Sequence, residues 1–304
     1  MPKRKRSILA LIFSPLVWLW NLIRKKIGIK NEAEKRIAEH EATLRQNPRR
    51  ITAILRIAEA LEEEGDENEA LIKRLQAAKR YEEEGKYREA VAQLRLVLHA
   101  DDKQTEIYQR IADLHLKLGL NAEAKAELKR LAKLFGTRGD SGDRLKLIAC
   151  LKQILGIDPK DDESHRQLGD AYCQIDQPEN AWPEYRYAAV LFHQNGHLGE
   201  FQTVAERYLS LHHHDPYIAG CLAQTYLSYG DAYKALHHLK VGHTDDPKHP
   251  DIIAALEAAS VCEKFQTEER QKVFEMLCTS YAAVNDVAKL KIAQEKLRQI
   301  LEEM

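Results

Sequence analysis

The amino-acid sequence predicts an all-α fold, an αα superhelical solenoid in which short helical repeats stack on one another. Small residues recur at turns, since Gly85 and Gly119 stand one short repeat of about 34 residues apart. A longer period of roughly 54 to 57 residues aligns Ala58, Ala112 and Gly169 and gives three helices per unit. Each predicted helix also carries apolar residues at three- and four-residue spacing, so it must bury one stripe against its neighbours.

The first predicted element, residues 1–30, is a membrane anchor built around the apolar stretch SILALIFSPLVWLWNLI (residues 7–23). A cleaved signal peptide needs a small-residue cleavage site, but tryptophans and RKK occupy that region. A spanning helix needs about 20 apolar residues to cross about 30 Å, whereas this stretch reaches only about 25 Å. Pro15 also removes a backbone hydrogen bond in its middle.

The charges beside this stretch favour a re-entrant segment over a spanning helix. KRKR precedes it and RKK follows it, and because cationic clusters prefer the cytoplasmic side, a spanning helix would have to export one of them. The stretch resembles the Ser-Pro-kinked re-entrant helix of the bacterial monotopic phosphoglycosyl transferases, over residues 7–26 alone. We assign the anchor to Ser14, Pro15, Trp18, Trp20, Arg24, Lys25 and Lys26.

The second element, residues 31–48, reads as an amphipathic helix that links the anchor to the repeats and caps them. Asn31 stands near its N-cap and Pro48 follows its end. A flexible linker is not expected here, because glycine and serine do not occur between these residues.

The third element, residues 49–304, is the helical repeat domain. Residues 70–102 align with residues 105–135, and YIAGCLAQTYLSYGDAYKALHHLKVGHTDDP repeats the same spacing of small residues and glycine at Ala223, Gly230 and Ala235. This spacing resembles that of tetratricopeptide repeats. An ordinary two-helix repeat is expected at 216–248, and the stretch from there to the end of the chain, 251–304, returns to the three-helix pattern.

Charge and cysteine content exclude several function classes. The formal charge is −1, but eight Lys or Arg residues and no acid lie in residues 1–30, which leaves −9 on the rest. The negative charge of residues 31–304 argues against nucleic acid as the ligand. The basic residues 1–30, called the head below, suit a surface of anionic lipid. The five cysteines form no C-x-x-C pair and are interpreted as free thiols on helix faces in a reducing compartment.

Histidine is the residue type that most suggests chemistry, since nine of thirteen lie between positions 193 and 249. Neighbouring histidines on one helix point in different directions, so we expect solvent-facing or helix-end histidines and not a metal site. The segment GTRGDSGD lacks the phosphate-loop pattern and is interpreted as a turn between helices. No catalytic constellation or cofactor is predicted.

Binding is the function that remains, and two groups of residues are candidates for it. Aromatic residues crowd positions 172–233, where most are expected in the core and some at a docking surface. The tetratricopeptide resemblance implies that certain inner-helix positions line a groove: Gln109, Asp113, Arg166, Asp170, Tyr217 and Gln224. Because these positions are acidic to mixed, and the chaperone-type carboxylate clamp is missing, a basic or amphipathic helical partner segment is expected.

The sequence therefore predicts a non-enzymatic, membrane-attached scaffold for protein partners. The head would contact lipid, and neither nucleic acid nor a small-molecule substrate is expected. The resemblance of the head implies a bacterial envelope, secretion, polysaccharide or motility assembly, with the repeats facing the cytoplasm. Two alternatives stay open: a spanning anchor with the repeats on the far side, and a metal-dependent activity in the histidine-rich section.

Overall fold

The computed structural model describes residues 32–138, 140–212 and 214–304. Every residue of the predicted anchor lies outside these ranges: Ser14, Pro15, Trp18, Trp20, Arg24, Lys25 and Lys26. Over the ranges described, no helix combines the length and the apolar character that crossing a bilayer requires.

The described residues form helices joined by short turns, without a strand among them. The fifteen helices are α1 Glu32–Gln46, α2 Ile51–Glu64, α3 Glu67–Glu83, α4 Tyr87–Ala100, α5 Thr105–Lys117, α6 Asn121–Arg138, α7 Ser141–Ile157, α8 Asp162–Cys173, α9 Pro178–Gln194, α10 Leu198–Leu211, α11 Pro216–Tyr229, α12 Ala232–Asp245, α13 Pro250–Ser260, α14 Thr267–Ala283 and α15 Val287–Glu303. The all-α prediction is thus confirmed for this part of the chain.

The long sequence period corresponds to three helices, as predicted. Ala58 lies on α2, Ala112 on α5 and Gly169 on α8, so aligned positions occupy every third helix, and all three are buried. The two-helix repeat expected at 216–248 is α11 with α12, and the last unit is α13 to α15. Small residues at these positions allow close helix packing.

Left-handed residues close several of the turns within these units. Gly85 and Gly119 both have φ of 73°, and their N–H groups donate to the Glu82 and Leu116 carbonyls one turn back. Asp176 and Asn285 adopt the same conformation, with φ of 56° and 59°. Asp and Asn are the non-glycine residues that tolerate it best, so the turn geometry recurs without a glycine.

The chain divides into two compact units, one ending at Glu127 and one beginning at Leu128. In the first unit, α1 packs on α2: Ile37 contacts the cluster around Ile57, and Leu44 contacts the cluster around Ile54. A larger cluster continues through α3, α4 and α5 and includes Leu94 and Ile111, both fully buried. Helix α1 lies within the segment 31–48 predicted to be an amphipathic helix, and its half-buried Ile37 and Leu44 face these clusters.

The second unit has an aromatic core. Tyr185 of α9, Tyr208 of α10 and Phe201 of α10 are its largest fully buried side chains. Tyrosines can occupy this interior because their hydroxyl groups find partners: Tyr208 donates to Asp215 Oδ2 at 3.0 Å, and the partner of Tyr185 is described below. This core positions α8, which carries the candidate site.

Candidate partner-binding surface

Helix α8 begins at a strong N-terminal signal in the sequence DPKDDESHRQ. The side chain of Asp161 caps the helix by accepting a hydrogen bond from the Ser164 N–H at 3.0 Å. Asp162 and Glu163 place negative charge in the first turn, where the helix dipole stabilises it. The polar face of α8 is therefore fixed at its start.

Two predicted groove residues, Arg166 and Asp170, meet on this face. The Arg166 guanidinium donates to Glu163 at 2.8 and 2.5 Å and to Asp170 Oδ2 at 2.7 Å. Burial alone raises the pKa of Glu163, but these hydrogen bonds outweigh burial and hold the pKa below its usual value. Glu163 and Asp170 thus share one guanidinium on the same helix.

Tyr185 of α9 adds a contact from the neighbouring helix. Its hydroxyl group donates to Asp170 Oδ1 at 2.7 Å, and its ring lies across α8 at Gly169. A Cβ at Gly169 would stand 2.6 Å from that ring, so only glycine permits this approach. Burial and the Asp170 carboxylate both raise the pKa of Tyr185, which keeps the hydroxyl group protonated as a donor.

Arg207 of α10 completes the cluster. Its guanidinium also donates to Asp170 Oδ1 and lies 5.9 Å from the centre of the Tyr185 ring, within cation–π range. Asp170 therefore accepts hydrogen bonds from α8, α9 and α10 together. We call Glu163, Arg166, Asp170, Tyr185 and Arg207 the α8 cluster.

Two clefts lie on either side of α8. One has a volume of about 460 Å³ and opens between α6, α7 and α8, with apolar walls from Ala132, Leu147 and Ala171. The other, of about 530 Å³, opens toward α9 and α10. Asp170 and Gln174 line both, so the clefts continue across the helix.

The other predicted groove residues lie elsewhere. Gln109 and Asp113 occupy α5 in the first unit, where the Gln109 amide donates to the Asp113 carboxylate at 2.9 Å. Tyr217 and Gln224 are half-buried on α11, and no hydrogen bond or ion pair between described residues joins them to the α8 cluster. Between them on α11, Gly220 packs against the Asp251 backbone, where a Cβ would stand at 2.9 Å, so this part of the helix is used for helix packing.

The histidine-rich section has structural roles. His212 stacks on Trp182 with ring centres 4.5 Å apart, His214 pairs with Asp245 at 2.6 Å, and the His243 ring bonds the Met276 carbonyl at 3.1 Å. Burial lowers the pKa of His238 to about 4, so its ring is neutral and stacks on Tyr226. In the described ranges, which leave out His213, no three metal-binding side chains come together.

The described cysteines are all unpaired, as expected. Burial raises the pKa of Cys150 to about 12 and that of Cys221 to about 11, so neither forms a thiolate near neutral pH. Cys262 corrects the prediction that all five lie on helix faces, because it lies in the loop that follows α13.

Most of the aromatic residues at 172–233 pack in the core, as predicted for the majority. The largest exposures belong to Tyr187, Tyr229 and Tyr233, which are 50%, 56% and 78% exposed. These three are the most exposed members of the set, and the ring centres of Tyr187 and His165 lie 4.6 Å apart.

A repeated ion pair was missed by the sequence interpretation. Lys129 of α6 pairs with Asp161 at 2.6 Å, and Arg186 of α9 pairs with Asp215 at 2.7 Å. Both aspartates are buried; Asp161 caps α8 and Asp215 caps α11. The signal was present, since Lys129 and Arg186 stand one period of the long repeat apart. Arg207 carries no such signal, because nothing in its spacing links it to Asp170.

Comparison with known proteins supports the repeat interpretation for part of the chain. Residues 81–137, which include α4, α5 and all but the last residue of α6, match the family model of the tetratricopeptide repeat. No curated protein matches the chain.

Solved structures give partial overlaps. The TPR2AB-domain:pHSP90 complex of yeast Sti1 is 15% identical, with 88% of this chain and 98% of that chain covered, at a TM-score of 0.31. YrrB, described as a TPR protein with an unusual peptide-binding site, is 17% identical over 78% of this chain and 96% of its own, at a TM-score of 0.26. PilW, described as a type IV pilus biogenesis factor, is 16% identical, with 74% of this chain and 98% of that chain covered, at a TM-score of 0.27.

Proposed function

We propose that this chain is a non-enzymatic scaffold that binds a partner protein across α8 and is held at a membrane by residues 1–30. The observation that carries the proposal is the pair of clefts joined over α8, with the α8 cluster fixed between them. Because three helices hold Asp170, this surface is rigid before a partner arrives, and a rigid surface loses little conformational entropy on binding.

The proposed partner segment is an amphipathic helix or a short peptide with an apolar side. The first cleft has apolar walls and a polar mouth, which is the composition of a groove that accepts such a segment. A basic segment is favoured less by α8, because Arg166 and Arg207 already neutralise Asp170. The same proposal includes lipid binding by residues 1–30 and a role in a bacterial envelope, secretion, polysaccharide or motility assembly. Both parts rest on the sequence of residues 1–30.

A site-specific crosslink tests the scaffold proposal. A photo-reactive phenylalanine analogue replaces Gln167, which lines the first cleft, in the full chain expressed in its own cells. Lys240, exposed on α12 and outside both clefts, is the matched control position. We expect a crosslinked partner from position 167 alone; identical products from both positions, or none from 167, would contradict the proposal.

A further inference from the structure

Most of the charged side chains that line the cleft between α6, α7 and α8 are already paired. Four charged side chains line it: Lys129, Lys133, Glu163 and Asp170. Lys129 pairs with Asp161, which itself caps α8. Glu163 and Asp170 both pair with Arg166. Among the described residues, Lys133 is the one charged side chain of this lining without an ion-pair partner, and it is exposed.

Apart from the charged side chains, the lining combines apolar Ala132, Leu147 and Ala171 with the polar side chains of Thr137, Ser164, Gln167 and Gln174. Ala132 and Ala171 are 3% and 1% exposed and form the floor with the half-buried Leu147. The volume of about 460 Å³ lies in the usual range of about 300–1,000 Å³ for ligand pockets and is large enough for one or two apolar side chains. Helix α7 is the third helix of the repeat formed by α5, α6 and α7. The cleft forms where this third helix lies beside α6 and α8.

Helix α6 also leaves the mouth of the cleft open. Gly136 lines it, is exposed and lies in the last turn of α6, and a Cβ there would meet nothing within 4 Å. Glycine inside a helix costs about 0.5–1 kcal/mol relative to alanine, and no packing contact requires it here. The small residue therefore gives a larger group access to the cleft.

From these observations we infer that the cleft binds a partner segment with an aliphatic or aromatic anchor residue followed or preceded, within one helical turn, by Asp or Glu. The anchor occupies the floor of Ala132, Leu147 and Ala171, and the carboxylate pairs with the Lys133 ammonium. This inference rests on the proposed scaffold function and names the chemistry of its partner. Because Asp170 and Gln174 continue the cleft across α8, the occupant is a length of chain and not a small molecule.

A selection followed by matched variants tests this partner chemistry. The purified full chain is used to select from a phage-displayed library of random peptides, and enriched peptides are synthesised for fluorescence anisotropy. We expect enrichment of sequences with an acidic residue beside an apolar one. Lys133→Glu should weaken binding by about fivefold or more, since it turns an attraction into a repulsion, and Lys240→Glu should leave it unchanged. The Lys133→Glu effect should shrink in 1 M salt.

Substitutions at Gly136 test where the apolar anchor residue of the partner segment binds. Gly136→Phe should abolish peptide binding by filling the mouth of the cleft, while Gly136→Ala should keep it, and both should melt no lower than the unsubstituted chain because a helical glycine is removed. The inference is overturned by any of four results: no enriched peptide, enriched peptides without acidic residues, normal peptide binding by Lys133→Glu, or normal peptide binding by Gly136→Phe. If partners still crosslink through position 167 in any of these cases, the scaffold function stands and the partner chemistry named here is wrong.

Discussion

At the scale of single residues, Gly169 decides whether the Tyr185 ring can lie across α8. Gly169→Ala should destabilise the protein by about 1–2 kcal/mol. A Cβ placed 2.6 Å from the ring forces overpacking that costs about 1–3 kcal/mol, and the better helix propensity of alanine returns only about 0.5–1 kcal/mol. Urea unfolding measures the change. Gly156→Ala on α7, where a Cβ meets nothing within 4 Å, is the control and should be neutral or stabilising; equal losses in both variants would contradict the steric argument.

His165 gives the surface a dependence on pH. Its Nδ1 lies 2.6 Å from Glu184 and its Nε2 lies 3.1 Å from the Pro159 carbonyl, so both ring nitrogens donate when the ring is protonated. Burial lowers the pKa of His165, but these two acceptors outweigh burial and raise the pKa above its ordinary value of 6.5. A raised folded-state pKa means that the stabilisation is complete below pH of about 6.5 and is lost as pH rises through the folded-state pKa.

The measurement for His165 compares the free energy of unfolding at pH 5.5 and pH 8.5. The unsubstituted chain should lose more stability over this interval than His165→Gln, because glutamine bonds without titrating. The difference between the two chains isolates His165 from the other histidines. A difference of zero would mean that the Glu184 and Pro159 contacts do not require the charged ring.

At the scale of helices, the buried cap Asp161 joins α6 to α8. The carboxylate caps α8 and accepts from Lys129, and although burial alone would raise its pKa, these contacts lower the pKa to about 2. Its stabilisation is therefore complete above pH of about 3.8 and is lost as pH falls through about 2. The cap and the ion pair act on the same carboxylate, so substitutions must separate them.

The series Asp161→Asn and Asp161→Ala makes that separation. Asparagine caps a helix nearly as well as aspartate, so Asp161→Asn removes the charge alone and should cost less than about 1 kcal/mol, since Lys129 is half-exposed. Asp161→Ala also removes the cap and should cost about 1 kcal/mol more. Thermal or urea unfolding at pH 7 measures the loss of unfolding free energy in each variant. If both substitutions cost the same, the ion pair and not the cap provides the stability.

Helices are also the scale at which the sequence was most informative. The long sequence period places Ala58, Ala112 and Gly169 on every third helix, because each position must be small wherever helices meet. The partners of side chains did not follow from spacing. Arg207 meets Asp170 from 37 residues away, and only the packing of α8, α9 and α10 brings the two together. Gly220 lies on α11 between the predicted groove residues Tyr217 and Gln224, yet α13 approaches so closely there that only glycine fits.

At the scale of the whole chain, charge separates the head from the repeats. Eight basic residues and no acid lie in residues 1–30, and the rest of the chain carries −9. An anionic lipid surface attracts each nearby Lys or Arg by about 1 kcal/mol and repels the acidic remainder. We expect this asymmetry to hold residues 1–30 at the membrane while leaving the surface of α8 to proteins.

The same asymmetry leads to a prediction about topology: both ends of the apolar stretch at residues 7–23 face the cytoplasm. Seventeen residues broken at Pro15 are short for a span of about 30 Å, and the cationic clusters on either side give no preferred direction of translocation. In a cysteine-free background, Lys5→Cys and Lys26→Cys should both be protected from an impermeant thiol reagent in intact cells and both be labelled after permeabilisation. Pro15→Leu should straighten the helix and expose one end. If Lys26→Cys is labelled from outside while Lys5→Cys is protected, the helix spans the membrane and the repeats lie on its far side.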